Sequence, residues 1–306
     1  MNNEEIYKSR SFLSCMNAAY KLIGDNLANI FRKLLLPIFA LSICSATMSI
    51  VQTRNMSDFA SGSISAVSIT IFYTALAAAI FCSIWMTARL FALLNGMPVR
   101  KNLARVSLAF AYNILIVAVI SVIAALCVYC AYRYSGVGIQ FFITNNWLVL
   151  LLAVLALCIF MLPLIYVNMH YINSPQASFW RDFPRMYATG LRHLGTLFIT
   201  ALLVGIILFV IFSIACMPLF ILNTAQTTSL LGELIGDPSD LPGSFSLLMF
   251  FTCLMTSMFV NFVNVYPNVV YFLLYGSIEK QREEFRIETK GNIPVSDTPE
   301  LPMVKL

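Results

Sequence analysis

The sequence predicts an all-α integral membrane protein with six transmembrane helices, arranged as three hairpins, and with amphipathic cytoplasmic interfacial helices. Its composition and its long uncharged apolar runs both support this fold class. Of the 306 residues, 59% are hydrophobic and 11% are charged, whereas about 25% of the residues in a typical soluble chain are charged. The same composition excludes a disordered chain and a nucleic-acid-binding protein, although the formal net charge is +5.

The first predicted element is a helix that lies in the cytoplasmic headgroup region. Its apolar residues recur at spacings of three and four, which places them on one helical stripe, whereas Lys21 and Asp25 take other faces. An equally weighted alternative is that this helix packs against the bundle as an ordinary structural element. The stripe consists of Phe12, Met16, Tyr20, Ile23, Leu27, Ile30 and Leu34.

Six apolar runs follow, and each is close to the length of about 20 residues that a helix needs to cross a bilayer. None of them contains Asp, Glu, Lys or Arg, and turn-forming segments separate them. The predicted spans are 34–51, 64–88, 106–131, 147–170, 196–222 and 247–275. The chain therefore divides into an N-terminal amphipathic helix (1–33), a transmembrane domain (34–275) and a charged cytoplasmic helix with a disordered tail (276–306).

The positions of Lys and Arg predict the orientation, because basic residues in short loops stay on the cytoplasmic side. Of the 19 Lys and Arg residues, only Arg54 and Arg133 fall outside the two terminal segments and the second and fourth connections. We therefore expect a bacterial cytoplasmic (inner) membrane protein with both termini in the cytoplasm. Anionic lipid headgroups are the expected partners of Lys21, Arg32, Lys33, Arg100, Lys101, Arg105, Arg181, Arg185 and Arg192.

A weak threefold repeat predicts the hairpins. Each span that returns to the cytoplasm is followed by a basic, amphipathic segment, at 100–105, 178–193 and 279–290. The run AAYKLIGDN at 18–26, which leads through Phe31-Arg32-Lys33 into the first span, resembles the opening of six-helix bacterial membrane families. One such family is the membrane domain fused to some glycerophosphodiester phosphodiesterases. The resemblance implies the architecture but no activity, because no phosphodiesterase catalytic domain is among these residues.

Residues that would support catalysis are scarce. The two histidines, His170 and His193, belong to no metal-binding motif, and no G-x-S-x-G elbow occurs. Cys127 and Cys130 lie one turn apart in a predicted span, which favours buried apolar thiols over a metal site. We therefore expect no enzyme, no cofactor and no metal. The absence of charge inside the spans also argues against an ion-coupled pump, but not against passive passage or lipid handling.

The most unusual polar feature is a face of the last span, formed by Asn261, Asn264, Asn268, Tyr271 and Tyr275. The fourth span offers a similar polar end through Asn168 and His170. Amides exposed to hydrocarbon are costly. This face is therefore expected to turn toward interhelical hydrogen bonds, the favoured interpretation, or toward a polar cleft for a lipid headgroup or a small solute.

Several further patterns have a structural and a functional interpretation. Four prolines (Pro37, Pro163, Pro218 and Pro267) are candidates for helix breaks that line a site, although such kinks are also common for structural reasons. A stripe of small residues in the second span, which includes Ser83 and Thr87, predicts close helix packing.

Two functions follow from these patterns. The leading hypothesis is a non-enzymatic scaffold or accessory subunit of the membrane, with a possible protein partner or homo-oligomer. The alternative is a passive transporter or lipid-handling protein that uses the polar face of the last span.

Overall fold

The computed structural model describes the chain in several ranges, within which the secondary structure is helical and contains no strand. The described residues are 8–60, 65–135, 151, 155, 159–236, 241–242 and 244–291.

Ten helices in these ranges are numbered here in chain order. They are α1 (Phe12–Asp25), α2 (Leu27–Ala60), α3 (Ala66–Asn95), α4 (Val99–Ser135), α5 (Pro163–Asn173), α6 (Phe179–Arg192), α7 (Leu194–Ala215), α8 (Met217–Ile235), α9 (Phe245–Val263) and α10 (Val265–Gly291).

Five helical stretches are long and apolar enough to cross a membrane, so the chain has the character of an all-α, multi-pass membrane protein. They overlap five of the six predicted spans. The remaining predicted span, 147–170, is not among them, and most of its first half lies outside the described residues. The stretches are Leu27–Gln52, Ala66–Asn95, Val99–Cys127, Leu194–Ala215 and Phe245–Ile287.

Three of the four highlighted prolines stand next to a helix break. α5 begins at Pro163, α8 begins one residue before Pro218, and α10 begins two residues before Pro267. Proline has no backbone N–H and its ring clashes with the preceding turn, which explains why the predicted spans 196–222 and 247–275 are each two helices. Pro37, in contrast, lies inside the continuous helix α2.

The first half of α10 forms the centre of the core. Val265, Val269 and Val270, together with the run 272–275, are buried there. α10 contacts α1 and α5, while α2 packs against α3 and α9. The terminal segment before α1 is tied to this core, since the Arg10 backbone N–H donates to Ser277 Oγ at 2.8 Å and Ser277 Oγ donates to the Arg10 carbonyl at 2.9 Å.

The predicted stripe of the first helix differs from the buried face of α1. Cys15, Met16 and Ala19 are buried, whereas Tyr20 is 76% exposed. The reason is that α1 ends at Asp25 and α2 begins at Leu27. The prediction assumed one continuous helix from Phe12 to Leu34, and only such a helix would place all the apolar residues on a single stripe.

Three asparagines join the ends of three helices. Asn95 at the end of α3 and Asn102 in the first turns of α4 exchange two amide hydrogen bonds of 3.1 Å. Asn95 also donates to Asn173, at the end of α5, over 3.4 Å. Asn102 is fully buried, so this cluster fixes how α3, α4 and α5 meet.

Candidate functional site

A cavity of about 230 Å³ lies between α3, α4, α5 and α10. The residues that line it are mainly apolar, and none of those the structure describes is charged. Since an unpaired polar group is costly in hydrocarbon, the hydrogen bonds of the polar lining residues indicate what the cavity can hold. These residues are Ser83, Thr87, Asn113, Asn168, Asn268 and Tyr271.

Asn113 and Asn168 pair with each other at the cavity wall. The amide nitrogen of Asn113 donates to Asn168 Oδ1 over 3.1 Å, and the amide nitrogen of Asn168 donates to Asn113 Oδ1 over 3.2 Å. The pair links α4 to α5. Asn168 was predicted from the sequence but Asn113 was not, although a single Asn inside an apolar span is typical of residues that pair between membrane helices.

Asn268 and Tyr271 retain hydrogen-bonding capacity that the described protein does not use. Asn268 donates to the backbone carbonyl of Asn264 over 2.8 Å, but its Oδ1 accepts no hydrogen bond from the residues in the described ranges. The Tyr271 hydroxyl likewise has no hydrogen-bond partner within those ranges. Both side chains are half-buried and line the cavity, so a donor and an acceptor remain available there.

The other members of the predicted polar face have separate roles. Asn261 donates to Ser42 Oγ on α2 at 3.5 Å and to Ser257 Oγ at 3.2 Å, which is the interhelical pairing that the sequence favoured. Asn264 lies between α9 and α10 and does not line the cavity. Within the predicted polar face, Asn261 therefore pairs with a neighbouring helix, whereas Asn268 and Tyr271 line the cavity.

A second polar cluster joins α5 to α10. Tyr166 donates to Glu279 Oε1, and Arg282 donates to the Tyr166 hydroxyl and to Glu279 Oε1, each over 2.9 Å. Beside it, His170 Nδ1 lies 3.2 Å from the Tyr275 hydroxyl.

This cluster changes the interpretation of the charged segment after the last span. The sequence predicts a charged cytoplasmic helix after residue 275, but within it the side chains of Glu279 and Arg282 are only 25% and 29% exposed. The signal for burial was missing because Tyr166 is 113 residues away from Glu279 in sequence.

His193, which follows α6, lies in the electrostatic field of the same ion pair. Burial lowers the pKa of His193, and the positive charges of Arg282 and Arg192 lower it further. Its imidazole therefore loses its proton at a lower pH than an unperturbed histidine does.

The basic residues expected at lipid headgroups lie mostly on the surface. Arg105 differs from the prediction, because its guanidinium is half-buried and donates to the carbonyl oxygens of Tyr171, Ser174 and Pro175. Arg181 pairs with Asp182 at 3.5 Å. The exposed members of the set are Lys21, Arg32, Lys33, Arg100, Lys101, Arg181, Arg185 and Arg192.

Metal-binding chemistry has no assembled site in the described part of the chain, where no group of three His, Cys, Asp or Glu side chains is able to hold an ion. Cys127 and Cys130 are free thiols. Both are exposed on α4 rather than buried as expected.

Comparison with known proteins adds no relative: no protein-family model, no curated protein and no solved structure matches the chain.

Proposed function

We propose that this chain is a non-enzymatic, multi-pass membrane protein that binds an uncharged polar ligand in the cavity between α3, α4, α5 and α10. The observation that carries the proposal is the unused hydrogen-bonding capacity of Asn268 Oδ1 and the Tyr271 hydroxyl, both of which line the cavity. Leaving such groups unpaired in an apolar environment costs about 1–3 kcal/mol each. A ligand or water that pairs with them removes this cost.

The chemistry of the lining restricts the ligand. Amides and hydroxyls donate and accept hydrogen bonds without carrying charge, and an ionised group would be poorly stabilised among these side chains. The glycerol hydroxyl of a diacylglycerol and small polyols have suitable chemistry. This conclusion favours the lipid-handling or passive-transport hypothesis over a purely structural role for the polar face.

Isosteric removal of one hydroxyl tests the cavity. Diacylglycerol is titrated into the purified full-length protein, bound lipid is counted by native mass spectrometry, and glycerol entry into proteoliposomes is followed by light scattering. Tyr271→Phe should weaken diacylglycerol binding about fivefold, the equivalent of one hydrogen bond. Tyr73→Phe is the matched control, because Tyr73 is 64% exposed and does not line the cavity. Unchanged binding and unchanged glycerol entry in Tyr271→Phe would contradict the proposal.

The accessory-subunit hypothesis has support from a different surface. α6 buries Phe179 and Met186 but exposes Trp180, Arg181 and Arg185. An aromatic and basic exposed face suits anionic headgroups or an acidic protein partner. If α6 holds a protein partner, the partner should co-purify from native membranes with the wild type and with Tyr73→Phe, but not with a Trp180→Ala/Arg181→Ala variant. Equal recovery from all three proteins would count against this function.

The proposed topology has six spans in three hairpins, with both termini on the cytoplasmic side of a bacterial inner membrane. Five membrane-capable stretches support it, and the predicted span 147–170 would supply the sixth crossing. The resemblance at 18–33 to six-helix membrane families agrees with this architecture. Fusions of green fluorescent protein to either end should fluoresce, and alkaline phosphatase fusions should be inactive. An active phosphatase at one end alone would require an odd number of crossings.

A further inference from the structure

A second polar pocket, also of about 230 Å³, lies between α1 and α10. It shares no lining residue with the four-helix cavity. Its charged and amide-bearing lining residues are Arg10, Lys21, Asp25 and Asn26. The last of these directly precedes Leu27, where the first membrane-capable stretch begins. The pocket therefore lies at the level where lipid headgroups meet a membrane helix.

Two cations and one carboxylate in a single pocket suit a ligand that carries both signs. Lys21 and Asp25 are one turn apart on α1, yet they form no ion pair with each other within the described residues. A phosphate would be attracted to Lys21 and Arg10. The Asp25 carboxylate would repel a second negative charge and attract an ammonium group.

The position of Asp25 at the end of its helix also favours a cationic partner. Asp25 is the last residue of α1, and no basic residue lies in that last turn. The partial negative charge at the C-terminal end of a helix disfavours a carboxylate there. A ligand ammonium beside Asp25 would offset both charges, whereas a simple anion would add to them.

An apolar groove of about 250 Å³ begins on the next helix. Its first residue on α2, Phe31, follows Asn26 by five positions, which is about 7.5 Å along a helix axis. The groove is lined by Phe31, Leu35 and Ile38 of α2 and by Met255, Phe259 and Phe262 of α9, among others. A charged pocket that includes Asn26, with an apolar groove that begins five residues further along the chain, matches a lipid, which joins a headgroup to acyl chains.

We propose that the pocket binds the zwitterionic headgroup of a glycerophospholipid. The phosphate contacts Arg10 and Lys21, the ammonium contacts Asp25, and one acyl chain lies in the groove between α2 and α9. This site is separate from the four-helix cavity, so either proposal can fail without the other.

The test is native mass spectrometry of the full-length protein, titrated separately with phosphatidylethanolamine and with phosphatidylglycerol. The wild type should prefer phosphatidylethanolamine. Asp25→Asn should lower this preference about two- to fivefold, the range for one solvent-accessible ion pair, while Lys21→Gln should weaken the binding of both lipids. Glu284→Gln and Arg286→Gln are the matched controls, because both residues are exposed and neither lines the pocket.

Two further measurements separate the groove from the headgroup pocket. Glycerophosphoethanolamine, which has no acyl chains, should bind at least tenfold more weakly than the lipid, since it buries no apolar surface. Leu35→Trp should fill the groove and weaken only the lipid. Equal binding of the two ligands would overturn the groove assignment.

Other measurements test the headgroup assignment separately from the groove. A wild-type preference for phosphatidylglycerol would overturn it, and so would an Asp25→Asn variant with an unchanged preference. Tyr271→Phe should leave phosphatidylethanolamine binding unaltered, which keeps the result independent of the four-helix cavity. Thermal unfolding of each variant shows that the fold is intact.

Discussion

Arg105 illustrates how one residue acquires a role that its charge alone does not reveal. Its guanidinium donates to three carbonyl oxygens at and after the end of α5, including that of Ser174 over 2.6 Å. It also lies 5.2 Å from the centre of the Tyr171 ring. The last carbonyls of a helix lack intrahelical partners and carry partial negative charge. Arg105 on α4 therefore caps α5.

Removal of this cap should destabilise the protein. Arg105→Ala is expected to lower the free energy of unfolding by about 2 kcal/mol, because hydrogen bonds from a charged donor contribute more than those from a neutral donor. Arg105→Lys should restore only part of the loss, since an ammonium cannot reproduce the planar guanidinium contacts. Unfolding in mixed micelles, followed by circular dichroism, measures both effects.

Arg100→Ala is the control for this measurement, because Arg100 lies on the same helix and is exposed. Its effect should stay within about 0.5 kcal/mol. Equal losses at the two positions would mean that Arg105 acts through general surface charge rather than as a cap.

At the scale of the helix, the start of α6 depends on a carboxylate. Asp182 Oδ2 accepts the backbone N–H of Ser178 over 2.9 Å. This hydrogen bond, followed by the charge of Arg181, lowers the pKa of Asp182. Because the pKa of Asp182 is lower in the folded than in the unfolded state, its ionised carboxylate stabilises the folded protein. This stabilisation is complete above the unfolded pKa of about 3.9, and it is lost as the pH falls through the folded pKa.

The resulting prediction concerns acid unfolding. The wild type should lose stability as the pH falls below about 4, and Asp182→Asn should remove part of this pH dependence. Glu284→Gln, at an exposed carboxylate, is the comparison. Unfolding midpoints measured across this pH range test the idea, which fails if the Asp182→Asn and wild-type slopes coincide.

The contact between α5 and α6 depends on a glycine. A Cβ built at Gly190 would lie 2.9 Å from the Pro163 Cβ and 3.0 Å from its Cα. Because part of the obstruction is backbone at the first residue of α5, it cannot move aside like a flexible side chain. The two helices therefore approach each other only while residue 190 has no side chain.

Gly190→Ala should lower the free energy of unfolding by about 1–3 kcal/mol, the range for overpacking. The matched control is Gly195→Ala, since a Cβ at Gly195 meets nothing within 4 Å and alanine favours helix over glycine. The control should be neutral or stabilising. Thermal unfolding of both variants gives the comparison, and a neutral Gly190→Ala would contradict the close approach.

For the molecule as a whole, the cluster of Tyr166, Glu279 and Arg282 connects the middle of the chain to its last helix. Tyr166 is 1% exposed, and its ring lies 5.5 Å from that of Tyr275. Tyr166→Phe keeps the ring packing and removes only the hydroxyl. It should lower the free energy of unfolding by about 1–2 kcal/mol, because it leaves Glu279 and Arg282 with fewer partners.

Tyr73→Phe again supplies the control, with an expected change within about 0.5 kcal/mol at an exposed site. The double variant Glu279→Gln/Arg282→Gln should make the Tyr166→Phe substitution nearly neutral, because the partners of the hydroxyl are then no longer charged. Additive losses would show that the three side chains are not coupled.

Part of the candidate site is visible in the spacing of polar residues along the sequence. The recurrence of Asn268 and Tyr271 marked a polar face, and the structure places both at the cavity. Asn113 was missed because one Asn in an apolar span gives no periodic signal. The interpretation of Ser83 and Thr87 as packing residues was incomplete, since both also line the cavity.

Length and lack of charge are local properties of the sequence, and they predicted the five stretches that are long and apolar enough to cross a membrane as helices, because a spanning helix satisfies its own backbone. Which polar groups meet depends instead on the packing of distant helices. Asn113 and Asn168 are 55 residues apart, and Tyr166 and Glu279 are 113 apart. The pairing of these side chains depends on how the helices pack. That packing is altered by the helix breaks at Cys216 and Asn264 and by the close contact at Gly190, none of which appears in the hydrophobic periodicity of the sequence.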